Sequence, residues 1–219
     1  MDITNMINDT ETTGGHVLIM SDLHLLKKEK DRPRITINPN YEKAVANIKS
    51  IRDIDMLIFL GDFVDDTINE NLFDEEMKVF DKPMKHKIWI RGNNDLFADH
   101  RYEDHGFKVC YSAFYRTDEA NFVFSHTSRD VASRSKLYCV HGHMHNNGAE
   151  MLYYHDPTRC LNIAQNLTAK GEIVGLPFVE DQCIRFKNKS RWYPGHEKVG
   201  MSQFVQNMAY AEMYEDIYS

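Results

Sequence analysis

Four short stretches place oxygen and nitrogen donors directly after apolar runs: Asp22-Leu23-His24, Gly61-Asp62, Gly92-Asn93-Asn94-Asp95 and Gly142-His143-Met144-His145. A fifth run ends in Ser125-His126. Singly, each has an ordinary explanation: Asp-x-His is a cap or a turn, Gly-Asp a helix start, a lone histidine a hydrogen-bonded core residue. Together they weigh differently, because structural turns do not require imidazole and four of the eleven histidines fall at these positions. Side chains two apart along a strand or its extension point the same way, so Asp22 and His24 can converge, as can His143 and His145. Carboxylate, amide and imidazole donors without thiolate suit Mn, Fe, Zn, Co or Ni, and the set does not choose among them.

Convergence of this kind needs strands whose ends share an edge. The run HVLIM leads into Asp22; Tyr41, Val45, Ile48 and Ile51 then recur at helical spacing. MLIFLGD follows as a buried strand, and Phe73, Met77 and Phe80 mark one face of a second helix, with Pro83 helping to end it. HKIWIRG is the third strand. Strand and helix alternating at this pace predict βαβ units and a parallel sheet, whose carboxyl ends face the ligand crevice. From Phe107 onward the short aromatic runs FKVCYSAFYR, NFVFSHT, KLYCVHGHMH and EMLYYHD are separated by polar turns, which predicts an antiparallel meander. The expected fold class is α/β: two packed mixed β-sheets flanked by helices, a four-layer αββα sandwich. Residues 1–15 are expected to be a flexible segment dispensable for chemistry, because they are polar and end in Gly14-Gly15. Residues 16–219 are expected to form a single domain, closed by a helix in which Met201, Phe204, Val205 and Met208 share one side.

Composition excludes several classes. A net charge of −7 argues against general binding along duplex nucleic acid, which needs a broad basic face. No apolar run approaches the ~20 residues that span a bilayer, and the opening residues lack the basic end and apolar centre of a signal peptide. The cysteines Cys110, Cys139, Cys160 and Cys183 have no paired spacing and read as free thiols, consistent with a cytoplasmic location.

The ordered set DxH, GD, GN, H and GHxH, spanning Val17 to about Asn166, resembles the calcineurin-like metallophosphoesterase superfamily. The resemblance implies two divalent metal ions, with Mn expected first. Asp22, His24 and His145 would hold one ion and Asn93, His126 and His143 the other, with Asp62 bridging them. It also implies a phosphoester hydrolase, phosphodiesterase or phosphatase, in which a metal-bridging hydroxide attacks phosphorus. Asp62, Asn94 and Asp95 are the expected catalytic positions. Asn94 departs from the pattern, because many members carry a histidine there that protonates the leaving oxygen while the next acidic residue orients it.

Four further residues are expected near substrate: Lys28 and Arg32 in the basic run after the first motif, and His100 and His105 downstream of Asn94. His141 is either a partner of the metal ligands or a plain strand residue. The segments between motifs are short. They leave no room for the helical cap of the related lipid A pathway pyrophosphohydrolases, or for the extra domain of the repair nucleases. An uncapped site suits a small phosphoester, such as a nucleotide or cyclic nucleotide. The alternative is a binding scaffold of the same fold, as in the retromer subunit, where metal ligands have been altered; all seven donor positions are filled here.

Overall fold

The structure is a computed structural model and describes residues 1–23, 41–50, 54–64, 70–127, 137–143, 160–163, 174–180 and 183. The first three strands form where the apolar runs lie: β1 (His16–Met20), β2 (Ile54–Phe59) and β3 (His86–Ile90). Helices α2 (Tyr41–Ser50) and α3 (Glu70–Met77) connect them, and a 3-10 turn at Lys78–Phe80 carries the second connection as far as Phe80. Then come α4 (Asp99–Glu103) and β4 (Lys108–Cys110). The sheet order is β4-β3-β2-β1-β9, where β9 is Val174–Gly175. Strands β1 to β4 pair in parallel, and β9 pairs antiparallel to β1.

Period-two alternation decides what each face of this sheet meets. Val17, Ile19, Met56 and Ile58 point into the core between the sheets. Met20, Leu57, Phe59 and Trp89 point outward and pack under Ile48, Phe73, Met77, Phe80 and Tyr102. The outer layer is aromatic, with the Phe59 and Trp89 rings stacked at 4.3 Å between centroids.

The second sheet runs β5 (Ser112–Arg116), β6 (Asn121–Ser125), β7 (Leu137–His141) and β8 (Cys160–Asn162), in that order. Its direction corrects the expected meander. Among the described strands only β5 and β6 form an antiparallel hairpin; β6–β7 and β7–β8 are parallel. The run FKVCYSAFYR is likewise not one strand. It breaks at Tyr111, with β4 in the first sheet and β5 in the second. Both sheets are therefore mixed. They face each other across Ile58, Ile88, Phe122, Phe124 and Val140, which are fully buried or nearly so.

The N-terminal residues overturn the flexible segment expected there. Thr4–Thr12 form helix α1, and Ile3 and Ile7 have no exposed surface within the inter-sheet core. Asp2 Oδ1 accepts from the Thr4 N–H at 3.0 Å, Ile3 N–H donates to the Phe114 carbonyl at 2.9 Å, and Gly14 ends the helix at a φ of +73°. Burying two isoleucines outweighs the polar character of the rest. Ile7→Ala is therefore expected to lower the unfolding free energy by about 2–5 kcal/mol, read from urea melts. An unchanged midpoint would mean that the helix is peripheral.

Residues 176–180 are helical, and Leu176, Val179 and Cys183 join the inter-sheet core. The helix expected around Met201–Met208 lies outside the described residues. Among the described residues, no helix is long and apolar enough to cross a membrane.

Candidate functional site

The carboxyl ends of β1, β2 and β7 turn through left-handed backbone at Asp22, Asp62 and His143, with φ of 54°, 58° and 67°. Aspartate and histidine are among the few non-glycine types that tolerate this region. The β1–β2 ladder runs on past the strands: the Leu60 N–H donates to the Met20 carbonyl at 2.8 Å and the Asp22 N–H to the Gly61 carbonyl at 2.9 Å. That continuation seats the two carboxylate corners side by side. Close approach explains two glycines here. A Cβ on Gly92 would overlap the Asp62 carboxylate, and one on Gly142 would overlap the Ser21 hydroxyl and the Asp22 carboxylate.

Asp62 is buried at the centre of the cluster. Its Oδ1 accepts from the Asn94 backbone N–H at 2.9 Å, and its Oδ2 accepts from the Asn94 side-chain amide at 2.8 Å. His126 Nε2 lies 3.3 Å from that Oδ2, 2.9 Å from Asn93 Oδ1 and 3.2 Å from His143 Nδ1. The other ring nitrogen, Nδ1, donates to the Leu60 carbonyl at 2.7 Å and so leaves Nε2 facing the cluster. Asp22 Oδ2 accepts from the Ser21 hydroxyl and, at 2.9 Å, from the His143 N–H. Asp62, His126 and His143 offer donor atoms that all lie within 4.8 Å of one another.

The electrostatics favour a cation. Burial opposes charge on His126 most strongly, yet the Asp62 hydrogen bond, the charges of Asp22 and Asp62 and the Leu60 carbonyl outweigh it and push the imidazole pKa up to about 9. A buried position that holds a proton so firmly beside two carboxylates is chemically suited to a divalent ion in its place. The donor set fits such an ion.

Asp95 holds the turn that carries Asn93 and Asn94. Its carboxylate sits beneath the turn, where Oδ2 accepts from the Gly92 N–H at 2.7 Å, Trp89 Nε1 at 3.0 Å and the Asp62 N–H at 3.3 Å. Burial is the main cause that raises its pKa, and the Asp62 charge adds to it, against the lowering by the Gly92 and Trp89 bonds. Asp95 positions the Gly92 corner and the Asp62 backbone. Three residues that the sequence did not single out support the same corners: Ser21 on Asp22, Leu60 on His126, and Arg91. The Arg91 guanidinium donates to the Phe97 carbonyl at 2.6 Å, to Asp99 at 2.9 Å and to the Asp95 carbonyl. Their signal was adjacency, since Ser21 and Arg91 directly precede Asp22 and Gly92.

Asp22, Asp62, Asn93, Asn94, His126 and His143 are thus brought to one edge. His24, His145, Lys28 and Arg32 lie outside the described residues. His105 is not brought there: its Nδ1 is 2.6 Å from Asp81, and its carbonyl accepts from Lys87 Nζ at 2.9 Å, at the amino end of β3. His100 is exposed on α4. His141 is fully buried in β7, with Nδ1 donating to the Gly142 carbonyl at 2.8 Å.

The chain matches the family described as calcineurin-like phosphoesterase over residues 15–206. No curated protein matches it. Among solved structures, a protein of unknown function from Aquifex aeolicus shares 16% identity at a TM-score of 0.54, over 76% of this chain and 98% of that one. A Pseudomonas putida nuclease shares 20% identity at a TM-score of 0.41, over 59% of this chain and 61% of the nuclease. An archaeal phosphodiesterase shares 19% identity at a TM-score of 0.37, over 59% of this chain and 73% of that one. The Aquifex likeness bears on the fold alone. The extent of the family match places this chain in the calcineurin-like phosphoesterase family, a family of metal-dependent phosphoester hydrolases.

Proposed function

We propose that this protein is a dinuclear phosphoester hydrolase acting on a small, exposed substrate, with diesters cleaved at least as readily as monoesters. Asp22, His24 and His145 would hold one ion and Asn93, His126 and His143 the other, with Asp62 contributing to both; Mn is the proposed metal. Two such ions, when bound, would supply polarisation of a phosphoryl oxygen and a water acidic enough to attack at neutral pH. The chain's own groups do the positioning. Leu60 fixes the tautomer of His126, Asn94 aligns both oxygens of Asp62, and Asp95 holds the backbone from which Asp62 projects.

The observation that carries this reading is the meeting of Asp62, His126 and His143 within 4.8 Å from three separate strand ends. The net charge of −7 supports a small ligand over duplex nucleic acid. Cys110 and Cys139 are free thiols, which supports a reducing, cytoplasmic setting.

Metal content, measured together with turnover of p-nitrophenyl phosphate and bis-p-nitrophenyl phosphate, tests the proposal. Two ions per chain are expected, with activity falling to background in EDTA and returning with Mn(II). A folded protein that turns over neither ester with Mn(II) present would be a scaffold of this fold.

A further inference from the structure

A cavity of about 670 Å³ opens beside the second metal position, with Asn93 and His126 in its wall. That is far more room than a phosphoryl group fills, and it falls within the range of sites that enclose a small organic molecule. The lining also carries Leu96, Tyr111, Phe114 and Leu137. Leu96, Tyr111 and Phe114 are 64%, 79% and 37% exposed, so three of the five exposed large apolar side chains among the described residues line this one cavity. Apolar side chains gathered on one concave surface beside a reactive centre mark a binding wall.

The wall also limits what charge its occupant carries. Arg91 is the one lysine or arginine among its described residues. Its guanidinium is taken up by Phe97, Asp95 and Asp99 and lies over the Tyr102 ring at 5.4 Å, so it braces the 92–97 turn instead of facing an anion. Nothing else in the described wall would neutralise a second phosphate. The backbone at Tyr111 is moreover held in place, because it is the single residue between β4 and β5. The Cys110 carbonyl before it accepts from the Arg91 N–H at 2.9 Å, and the Ser112 carbonyl after it accepts from the Met1 ammonium at 2.8 Å. An exposed ring on such a fixed backbone is preorganised for stacking.

We infer that this cavity binds the neutral, planar organic part of the phosphoester, a nucleobase with its sugar, stacked on Tyr111 between Leu96 and Phe114 while its phosphate lies at Asn93 and His126. The inference rests on the hydrolase reading above and narrows its substrate to nucleoside phosphoesters without further phosphates. Flat rings of any base suit such a wall, because stacking depends on the π-face and not on edge hydrogen bonds.

Two diesters with one leaving group and one charge test it: the p-nitrophenyl ester of thymidine 5′-monophosphate and methyl p-nitrophenyl phosphate. With the Mn-loaded protein, the nucleoside ester is expected to show a KM about tenfold lower, the gain typical of one base stacked on an aromatic ring. Tyr111→Ala is expected to bring the two KM values within about threefold, while Tyr111→Phe keeps the wild-type ratio. Equal KM values in the wild type, or a ratio unmoved by Tyr111→Ala, would overturn the inference. If neither ester is cleaved, the hydrolase reading fails on its own, and calorimetric binding of thymidine 5′-monophosphate against inorganic phosphate still decides the pocket. About tenfold tighter binding of the nucleotide, lost in Tyr111→Ala, supports it; equal affinities overturn it.

Discussion

Asp62→Asn is expected to lower kcat/KM by about 10³-fold or more, the scale of losing a group that organises charge in the transition state, and to loosen both ions. The substitution is nearly isosteric, and asparagine tolerates the left-handed φ of 58° as well as aspartate does, so the corner itself should survive. What changes is the donor chemistry. Asp62 now accepts from the Asn94 backbone and side chain while Oδ2 lies 3.3 Å from His126 Nε2. An amide at position 62 has one accepting oxygen instead of two, and its NH₂ would face donors or cations. Neither half of the metal site would then have a full ligand set. Elemental analysis and turnover on the same preparation check this. Two tightly held ions with near-normal turnover would remove Asp62 from the bridging position.

The second large effect concerns leaving groups. Esters with good leaving groups should be cleaved well, whereas simple alkyl monoesters should be slower by the 10²–10⁴-fold that general-acid help typically supplies. The side chain at position 94 is an amide, which donates a hydrogen bond but no proton at neutral pH, and here it is directed to Asp62 Oδ2. No substitute acid is in place among the described loop histidines. His105 pairs with Asp81 at the far end of the strands, and His100 is exposed on α4. Asn94→His should therefore raise the rate on an alkyl ester more than on a nitrophenyl ester. A wild type that treats both leaving groups alike would place the proton source elsewhere.

The strands of the first sheet, and the donors at their ends, were legible because apolar β-branched and aromatic runs stop abruptly at glycine and acid. A strand end fixes where the next side chain points, so Asp22, Asp62 and Asn93 converge without any long-range information. Strand direction in the second half was not legible. The chain between Ser125 and Leu137 carries no helical periodicity, yet it returns the chain to a parallel neighbour. The break at Tyr111 was hidden because the apolar alternation runs through it unchanged. Helix α1 was missed because only Ile3 and Ile7 announce it within a polar stretch, and two side chains are a weak signal until their burial is seen. That Asp95 takes Trp89 as a partner depends on which way the turn folds, and that lies in the tertiary packing.

The three left-handed corners at Asp22, Asp62 and His143 have an evolutionary consequence. Each costs on the order of 1 kcal/mol that a glycine would not incur, and the cost is offset only while the side chain is needed. A lineage that abandoned the chemistry would gain stability by letting these positions drift to glycine, one corner at a time. Replacement of these three side chains by glycine in a descendant chain would therefore record a change of occupation at the corners themselves.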